Sequence, residues 1–294
     1  MTKVKHIEQK PVFKSGFITM VGRSNSGKST LLNTLVGTKL AAVTHKPQTT
    51  RDIIHGVLNT TQGQAIFIDT PGILKERHNP LAGKLTERAQ EALKEIDEIL
   101  YVVDPTKAIG AEERFILSIL RKLEIPKFLI LNKSDLPEEE KKFLEDYKQL
   151  SDEFTATFEL SALLNRHIQP LKDMVFELLP EGMPMYEGDQ ITNLGKGKWI
   201  AEVIREKILL ALRKEVPYSI NVEVRDIEDK EDIIVIQAVI LTSDARYKKM
   251  IIGAGGRSIK EIGIAARKEL STALNKKIYL ELEVETDRHW EDRA

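Results

Sequence analysis

The sequence contains no cysteine, which excludes disulfides, thiolate metal sites and cysteine nucleophiles and suits a reducing compartment. A global basic excess is also lacking, with 44 Lys and Arg against 45 Asp and Glu, so any nucleic-acid site must be local. No stretch approaches the roughly 20 apolar residues of a membrane span, and the N-terminal residues lack the apolar core of a signal peptide. We therefore expect a cytoplasmic protein.

The chain has 294 residues, of which 41% are hydrophobic, enough for two domains that each bury a core. A helical pattern over Gln169–Leu179 ends at Pro180, and the stretch PEGMPMYEGD that follows it combines prolines and glycines with little periodicity. We place the domain boundary in this stretch. The predicted domains are 12–180 and 196–290, joined by a linker at 181–195.

Short apolar runs alternate with amphipathic helical stretches in the first domain, which predicts an α/β fold with a sheet flanked by helices. The segment Asn59–Gly63 that joins the runs Ile53–Leu58 and Ala65–Ile68 is too short for a helical crossover, so we expect this pair to be antiparallel and the sheet mixed. The second domain reads as α+β, and its first helix is predicted at Trp199–Lys214. The other predicted strands are Phe17–Val21, Ile99–Val103, Phe128–Leu131, Tyr218–Arg225, Ile233–Thr242 and Lys277–Val284.

A glycine-rich loop lies between the first strand and a helical pattern at Thr30–Leu40. Glycines let backbone N–H groups curl around phosphate oxygens at a helix N-terminus, where Lys28 can neutralise the β and γ oxygens and Ser29 can ligate Mg2+. A glycine turn with a solvated lysine is the alternative, but the strand and helix on either side favour a phosphate site. The loop, Gly22-Arg23-Ser24-Asn25-Ser26-Gly27-Lys28-Ser29, matches the Walker A pattern.

Two further segments can reach a γ-phosphate and its metal ion. Asp69-Thr70-Pro71-Gly72 ends an apolar run, where Asp69 can hold Mg2+ through water and the Gly72 N–H can meet the phosphate. The polar loop Lys46–Arg51 contains hydroxyls, of which we favour Thr50 over Thr49 as a metal ligand. The predicted metal ligands are therefore Ser29, Thr50 and Asp69.

Asn132-Lys133-Ser134-Asp135 follows the strand Phe128–Leu131, which places it at the carboxyl edge of the sheet beside the phosphate loop. The Asp135 carboxylate can accept from the ring N–H and the exocyclic amine of guanine, and adenine offers neither donor. A backbone N–H of Ser161-Ala162-Leu163 can meet the guanine carbonyl oxygen. The sequence thus predicts a site that takes GTP rather than ATP.

The order of these loops resembles that of the Ras-like GTPase superfamily, and Asn25 with Thr49-Thr50-Arg51 resembles the branch containing Era, MnmE and Der. The resemblance implies GTP hydrolysis with Lys28, Thr50, Gly72 and Asn25 as catalytic residues. Besides the phosphate loop, it implies GTP contacts at Thr30, Asp69, Thr70, Pro71, Gly72, Ile73, Asn132, Lys133, Ser134, Asp135, Ser161, Ala162 and Leu163.

Ile73 stands where Ras-type proteins have a water-orienting glutamine, so water must be positioned by another group. The resemblance implies a K+ ion beside the phosphates at Asn25, which would substitute for an arginine finger. The alternative is that Asn25 is an ordinary loop residue.

A second glycine-rich loop, in the C-terminal part, looks like the Gly-x-x-Gly loop of a KH domain, which clamps about four nucleotides of single-stranded nucleic acid. From Asp244 to Lys277 nine residues are basic and three acidic, which supplies a local basic patch. The alternative is a glycine turn followed by a solvated helix face. The predicted RNA-binding residues are Ile252, Gly253, Ala254, Gly255, Gly256, Arg257, Ile259 and Lys260.

The helix, strand, strand, loop, helix, strand order resembles a type II KH domain, and a GTPase followed by this domain resembles the Era family over nearly the whole chain after Pro11. The resemblance implies a GTP-dependent assembly factor for the small ribosomal subunit that holds single-stranded small-subunit rRNA near its 3′ end. It also implies peripheral contact with the inner face of the cell membrane and no obligate oligomer. Ala254 departs from the family, in which this loop position is usually lysine.

Two other functions are open on the sequence alone. One is an RNA-binding module with a vestigial nucleotide site, and the intact Lys28, Ser29, Asp69 and Asp135 argue against it. The other is a factor that uses GTP to gate RNA modification, which resembles MnmE but requires catalytic groups that these motifs do not supply.

Overall fold

The computed structural model describes residues 12–44, 53–69, 96–212, 220–287 and residue 290. Thr50, Thr70, Pro71, Gly72 and Ile73 lie outside these ranges, so the roles expected of them stay predictions. Within the described residues, no helix combines the length and the apolar character that crossing a membrane requires.

The N-terminal half is built on a six-stranded sheet in the order β2-β3-β1-β4-β5-β6. All neighbouring strands are parallel except β2 and β3, which confirms the predicted antiparallel pair and the mixed sheet. The strands β3, β4 and β5 are mostly apolar and almost entirely buried because helices cover both faces of the sheet. The strands are β1 Lys14–Val21, β2 Ile54–Asn59, β3 Gly63–Asp69, β4 Glu98–Val103, β5 Lys127–Leu131 and β6 Ala156–Glu159.

Four helices accompany this sheet in the described residues: α1 Lys28–Val36, α2 Ala111–Leu120, α3 Leu144–Lys148 and α4 Gln169–Leu178. The predicted helix over Thr30–Leu40 is wrong at both ends. It ends at Val36 because Gly37 adopts φ 80° and its N–H donates to the Asn33 carbonyl at 2.9 Å. The Asn33 side-chain oxygen then accepts from the N–H groups of Leu40 and Ala41, which fixes the next segment as a loop.

The C-terminal half has a three-stranded sheet in the order β7-β8-β9, in which β8 pairs antiparallel with β7 and parallel with β9. Its elements are α5 Lys196–Ala211, β7 Ile220–Asp229, β8 Ile233–Thr242, α6 Ala245–Ile252, α7 Arg257–Leu274 and β9 Lys277–Thr286. The predicted end of β7 at Arg225 is too early, because the strand continues through a register shift between Val224 and Asp226. A second apolar core lies between this sheet and its helices.

Residues 181–195, here called the strap, contain no helix and only isolated bridges. The strap runs along β2, the edge strand of the larger sheet, and Val57 N–H donates to the Ile191 carbonyl at 2.9 Å. Gln64, 1% exposed, accepts from the N–H groups of Met185 and Tyr186 and donates to the Tyr186 carbonyl. The strap is therefore hydrogen-bonded to the first half of the chain rather than a free tether.

Candidate functional site

The Walker A segment forms the turn between β1 and α1, as its spacing predicts. Lys28 is 6% exposed, and its Nζ donates to the carbonyls of Gly22 and Arg23, each at 3.0 Å. Burial lowers the pKa of Lys28, while nearby Asp69 acts in the opposite direction. The loop thus holds a buried amine at the N-terminus of a helix, where the helix dipole also favours an anion.

Beside this lysine, the Ser29 hydroxyl donates to Asp69 Oδ2 at 2.5 Å. Asp69 is fully buried at the last position of β3, and its backbone pairs with Met20 at the end of β1. A hydroxyl and a carboxylate are hard oxygen ligands of the kind that Mg2+ prefers. Within the described ranges there is no cluster of three or more His, Cys, Asp or Glu. Besides Ser29 and Asp69, Mg2+ here would take ligands from water, phosphate and the predicted Thr50, which lies outside those ranges.

Asn132 joins the phosphate loop to the loop after β6. It is 3% exposed, and its Nδ2 donates to the Ser26 carbonyl at 2.9 Å while its Oδ1 accepts from the Ala162 N–H at 3.0 Å. Gly27, with φ 107°, leaves room for this amide, because an added Cβ would collide with Asn132 Nδ2. One amide side chain therefore sets the spacing between the phosphate and base ends of the cleft.

The base-reading loop is oriented by two side chains outside the Asn-Lys-x-Asp motif. Lys133 Nζ donates to Asp104 Oδ2 at 2.5 Å, and the Ser161 hydroxyl donates to Asp135 Oδ1. Burial alone would raise the pKa of Asp104, but hydrogen bonds from Lys133 and Thr106 lower it, so this carboxylate stays charged. Asp104 belongs to no sequence motif, although an acidic residue directly after the apolar strand β4 is a signal for this edge of the sheet.

These groups enclose a cleft of about 360 Å³, within the usual range for a small-molecule site. Of the predicted residues, Asn25, Gly27, Thr30, Asn132, Lys133, Asp135 and Leu163 line it. The cleft is also lined by Val43, Thr44, Leu136 and Leu210, none of which was predicted from the sequence. Leu210 belongs to α5, in the C-terminal half of the chain.

Some residues that were predicted to contact GTP make other contacts within the chain. The Arg23 guanidinium lies 2.9 Å from Glu113 Oε1 and 3.7 Å from Glu112 Oε2, so its side chain is paired with the start of α2. The Ser134 N–H donates to the Leu160 carbonyl at 3.1 Å and helps to shape its loop. The hydroxyls of Ser24 and Ser26 are buried and have no hydrogen-bond partner among the described residues.

The second glycine loop connects α6 to α7. The φ angles of Gly253, Gly255 and Gly256 are 73°, 60° and 77°, a backbone conformation that residues with a side chain rarely adopt. A Cβ on Gly253 would lie 2.7 Å from the Ser258 Cβ, whereas Gly255 and Gly256 face open space. The backbone of this loop can therefore be approached closely by another molecule.

The other residues predicted around this loop fall into two groups. Ala254, Arg257 and Lys260 are exposed, so the two basic side chains stand beside the loop on the first turn of α7. Ile252 and Ile259 are only partly exposed and pack against the second core. Their side chains anchor the loop, and the exposed residues form its surface.

Residues 17–133 match the family model described as a 50S ribosome-binding GTPase, and residues 215–291 match the KH domain model. GTPase Era from Thermoanaerobacter sp. (strain X514) is 41% identical over 289 residues, which is 96% of this chain and 94% of that protein. The chain belongs to the Era GTPase family. GTPase Era from Heliobacterium modesticaldum is likewise 41% identical, over 95% of this chain and 94% of its own length.

Two solved Era structures superpose on the chain. One is a variant of Era from Aquifex aeolicus bound to GDP and AlF4−, with a TM-score of 0.88 and 34% identity over 96% of both chains. The other is Era in complex with MgGDPNP and nucleotides 1506–1542 of 16S ribosomal RNA, with a TM-score of 0.87 and the same identity and coverage. The chain is thus an Era-family GTPase with a P-loop GTPase domain and a C-terminal KH domain, which confirms the predicted fold class and activity.

Proposed function

We propose that this chain is a GTP-driven switch that holds single-stranded small-subunit rRNA near its 3′ end and assists assembly of the small ribosomal subunit. The observation that carries this proposal is the presence, in one chain, of a guanine-type nucleotide cleft and an open Gly-x-x-Gly loop. The relative solved with 16S rRNA nucleotides covers 96% of this chain, which favours the small subunit over the 50S particle in the description of the GTPase model.

In the proposed site, Lys28 and the N–H groups of the phosphate loop hold the β- and γ-phosphates, and Asp135 reads guanine. Ser161 orients Asp135 and Asp104 orients Lys133, so both base-reading side chains are fixed before GTP arrives. Gly72 and Thr50, outside the described residues, complete the γ-phosphate contacts in this proposal. The pairing of Ser29 with Asp69 and of Lys133 with Asp104 argues against a vestigial site.

Ser29 and Asp69 fit a magnesium site, with Thr50 as a further ligand, and Mg2+ held there would neutralise charge on the β- and γ-phosphate oxygens. The same two residues also orient the start of α1 against the end of β3. Lys28 is buried next to these two residues, and its amine would place a second positive charge beside the phosphates that does not depend on the metal.

A K+ ion beside Asn25 is part of the proposal because Ile73 cannot orient water. Asn25 lines the cleft and has φ 65°, a left-handed conformation that turns this part of the loop. GTP hydrolysis should therefore be faster in K+ than in Na+ at equal ionic strength. Equal rates in the two salts would show that Asn25 is an ordinary loop residue.

The RNA part of the proposal assigns the backbone clamp to residues 253–256 and the nearest phosphate contacts to Arg257 and Lys260.

The domains are proposed as 12–180 and 196–290 with the strap at 181–195 between them. Peripheral contact with the inner face of the cell membrane and the lack of an obligate oligomer, both implied by the family resemblance, stay predictions. Flotation with anionic vesicles tests the membrane contact, and sedimentation equilibrium tests the oligomeric state.

Base selectivity tests the nucleotide assignment most simply. Wild type should hydrolyse GTP far faster than ATP, and Lys28→Ala should abolish hydrolysis. Asp135→Asn should lose GTP activity and gain activity with XTP, because a carboxamide can pair with the extra carbonyl of xanthine. Asp189→Asn, an exposed substitution in the strap, is the matched control and should behave like wild type. Equal hydrolysis of ATP and GTP by wild type would contradict the assignment.

A further inference from the structure

The last turn of α5 brings a side chain of the KH half to the nucleotide cleft. Leu210 is 53% exposed and lines the cleft together with Leu163, which is 72% exposed. The neighbouring residues Ile208 and Leu209 are fully buried in the second core, so the position of Leu210 is fixed by that core. Two exposed leucines from different halves of the chain thus face one ligand-sized space.

An ion-pair cluster fastens α5 and α7 to the loop after α1. Lys39 Nζ lies 2.6 Å from Glu206 Oε2 on α5 and 2.6 Å from Glu269 Oε1 on α7. Lys207 also contacts Glu269. The Glu206 side chain is 5% exposed, and a carboxylate this deeply buried is costly without its cation, so the pairing fixes a specific docking geometry.

A neutral contact reinforces the same junction, because Trp199 Nε1 donates to the Lys39 carbonyl at 2.8 Å. Trp199 is therefore part of the junction between the two halves of the chain. Val43 and Thr44, a few residues beyond Lys39 in the same loop, line the nucleotide cleft. The junction and the cleft therefore share one short segment.

We propose that Leu210 forms part of the nucleotide-binding wall, covering the base end of bound GTP or GDP and slowing nucleotide release. Guanine and ribose present apolar faces, and a leucine that covers them removes apolar surface from water. The junction at Lys39 holds Leu210 in place, so the KH half directly tunes nucleotide affinity. This inference depends on the proposed nucleotide site.

The dissociation rate of radiolabelled GDP, chased with excess unlabelled GDP, measures this contact in the full chain. Leu210→Ala should release GDP about five- to tenfold faster, the size expected from losing most of one leucine contact. Leu178→Ala on α4, where the leucine is 37% exposed and outside the cleft, is the matched control and should release GDP at the wild-type rate. Leu210→Met keeps the apolar volume and should therefore release GDP about as slowly as wild type.

The junction is tested by Lys39→Met and by its combination with Leu210→Ala. Lys39→Met should also accelerate release, and the double variant should be little faster than either single one, because both changes remove the same contact. Wild-type release by Leu210→Ala, or fully additive effects of the two changes, would overturn the inference. Failure of the wild-type chain to bind GDP would instead refute the nucleotide site on which the inference depends.

Discussion

Lys28 and Asn132 organise the nucleotide cleft at the scale of single residues. Lys28 brings a buried positive charge into the phosphate loop, and Asn132 ties that loop to the turn at Ala162. Neither contact requires a nucleotide, so the cleft is assembled before binding, which reduces the reorganisation that binding would otherwise demand. Removing either side chain should disturb both ends of the cleft.

Glu98, the first residue of β4, is a buried carboxyl group on the far side of the fold from the nucleotide cleft. It is fully buried, and neither of its carboxylate oxygens has a hydrogen-bond partner among the described residues. Burial, with a smaller effect from Asp97, raises the pKa of Glu98 from 4.5 to about 8, while Lys14 opposes the shift. The folded chain therefore keeps a proton that the unfolded chain loses.

This proton makes stability depend on pH in a definite direction. Because the folded-state pKa is the higher one, stability from this group is fully present below about pH 4.5 and is lost as pH rises through about 8. Glu98→Gln should remove the loss and raise Tm by about 5 °C at pH 8.5, with little change at pH 4.5. Thermal melts of this variant and of the exposed control Glu124→Gln measure the effect. A Tm difference independent of pH would contradict it.

Sequence reasoning located the groups that define nucleotide chemistry, since Lys28, Ser29, Asp69 and Asp135 lie in motifs whose spacing already demands their residue types. It missed Asp104 because a single acidic residue after a strand carries no motif, and it did not find the pairing of Arg23 with Glu113 because the two residues are 90 positions apart. The contact of Arg23 with GTP stays a prediction. Contacts that depend on two distant segments cannot be read from local spacing.

The strap is the feature of most interest among the elements. His55 and Asn59 on β2 contact it from either end: His55 Nδ1 lies 2.7 Å from the Tyr186 hydroxyl, and Asn59 Nδ2 donates to the Gly188 carbonyl at 3.1 Å. Asn193 bonds the backbone at Ile53 and His55, directly after the predicted hydroxyl loop at 46–51. The segment between the domains is thus fastened to the strand that follows this loop.

Gln64 is the side chain that should matter most for this fastening, because it is buried and meets three backbone groups of the strap. Gln64→Leu would leave those groups unpaired, so we expect Tm to fall by roughly 5 °C or more and residues 181–195 to become sensitive to protease. Gln169→Leu, an exposed change on α4, is the control. Limited proteolysis at the wild-type rate in Gln64→Leu would show that the strap is held by other contacts.

Most strands could be predicted because their apolar runs are continuous. The limits of the helices and the hydrogen bonds of the strap could not. Nothing in the run Thr30–Leu40 except Gly37 indicates that α1 stops early, and a glycine inside a helical pattern is often tolerated. Proline and glycine in residues 181–195 predicted a linker between two domains and no contacts for it. The hydrogen bonds that fix it include those of Gln64 and Asn59, which no local pattern connects to it.

At the scale of the whole molecule, the two halves have separate cores and meet at the Lys39 junction. Trp290 is 1% exposed and packs on Val239 and Leu241 of β8. These two residues alternate with the β8 residues of the second core, so Trp290 covers the opposite face of that strand. A charged tail gives no sequence signal for such packing.

Cosedimentation with small ribosomal subunits tests the GTP-driven switch most directly. A non-hydrolysable GTP analogue should place the wild-type chain in the subunit fraction, and GDP should leave most of it free. Gly256→Asp should not cosediment with either nucleotide, because it places a side chain at φ 77° and a negative charge where an RNA phosphate must approach. Equal cosedimentation with both nucleotides, or a Gly256→Asp variant that binds subunits like wild type, would contradict a nucleotide-controlled RNA clamp.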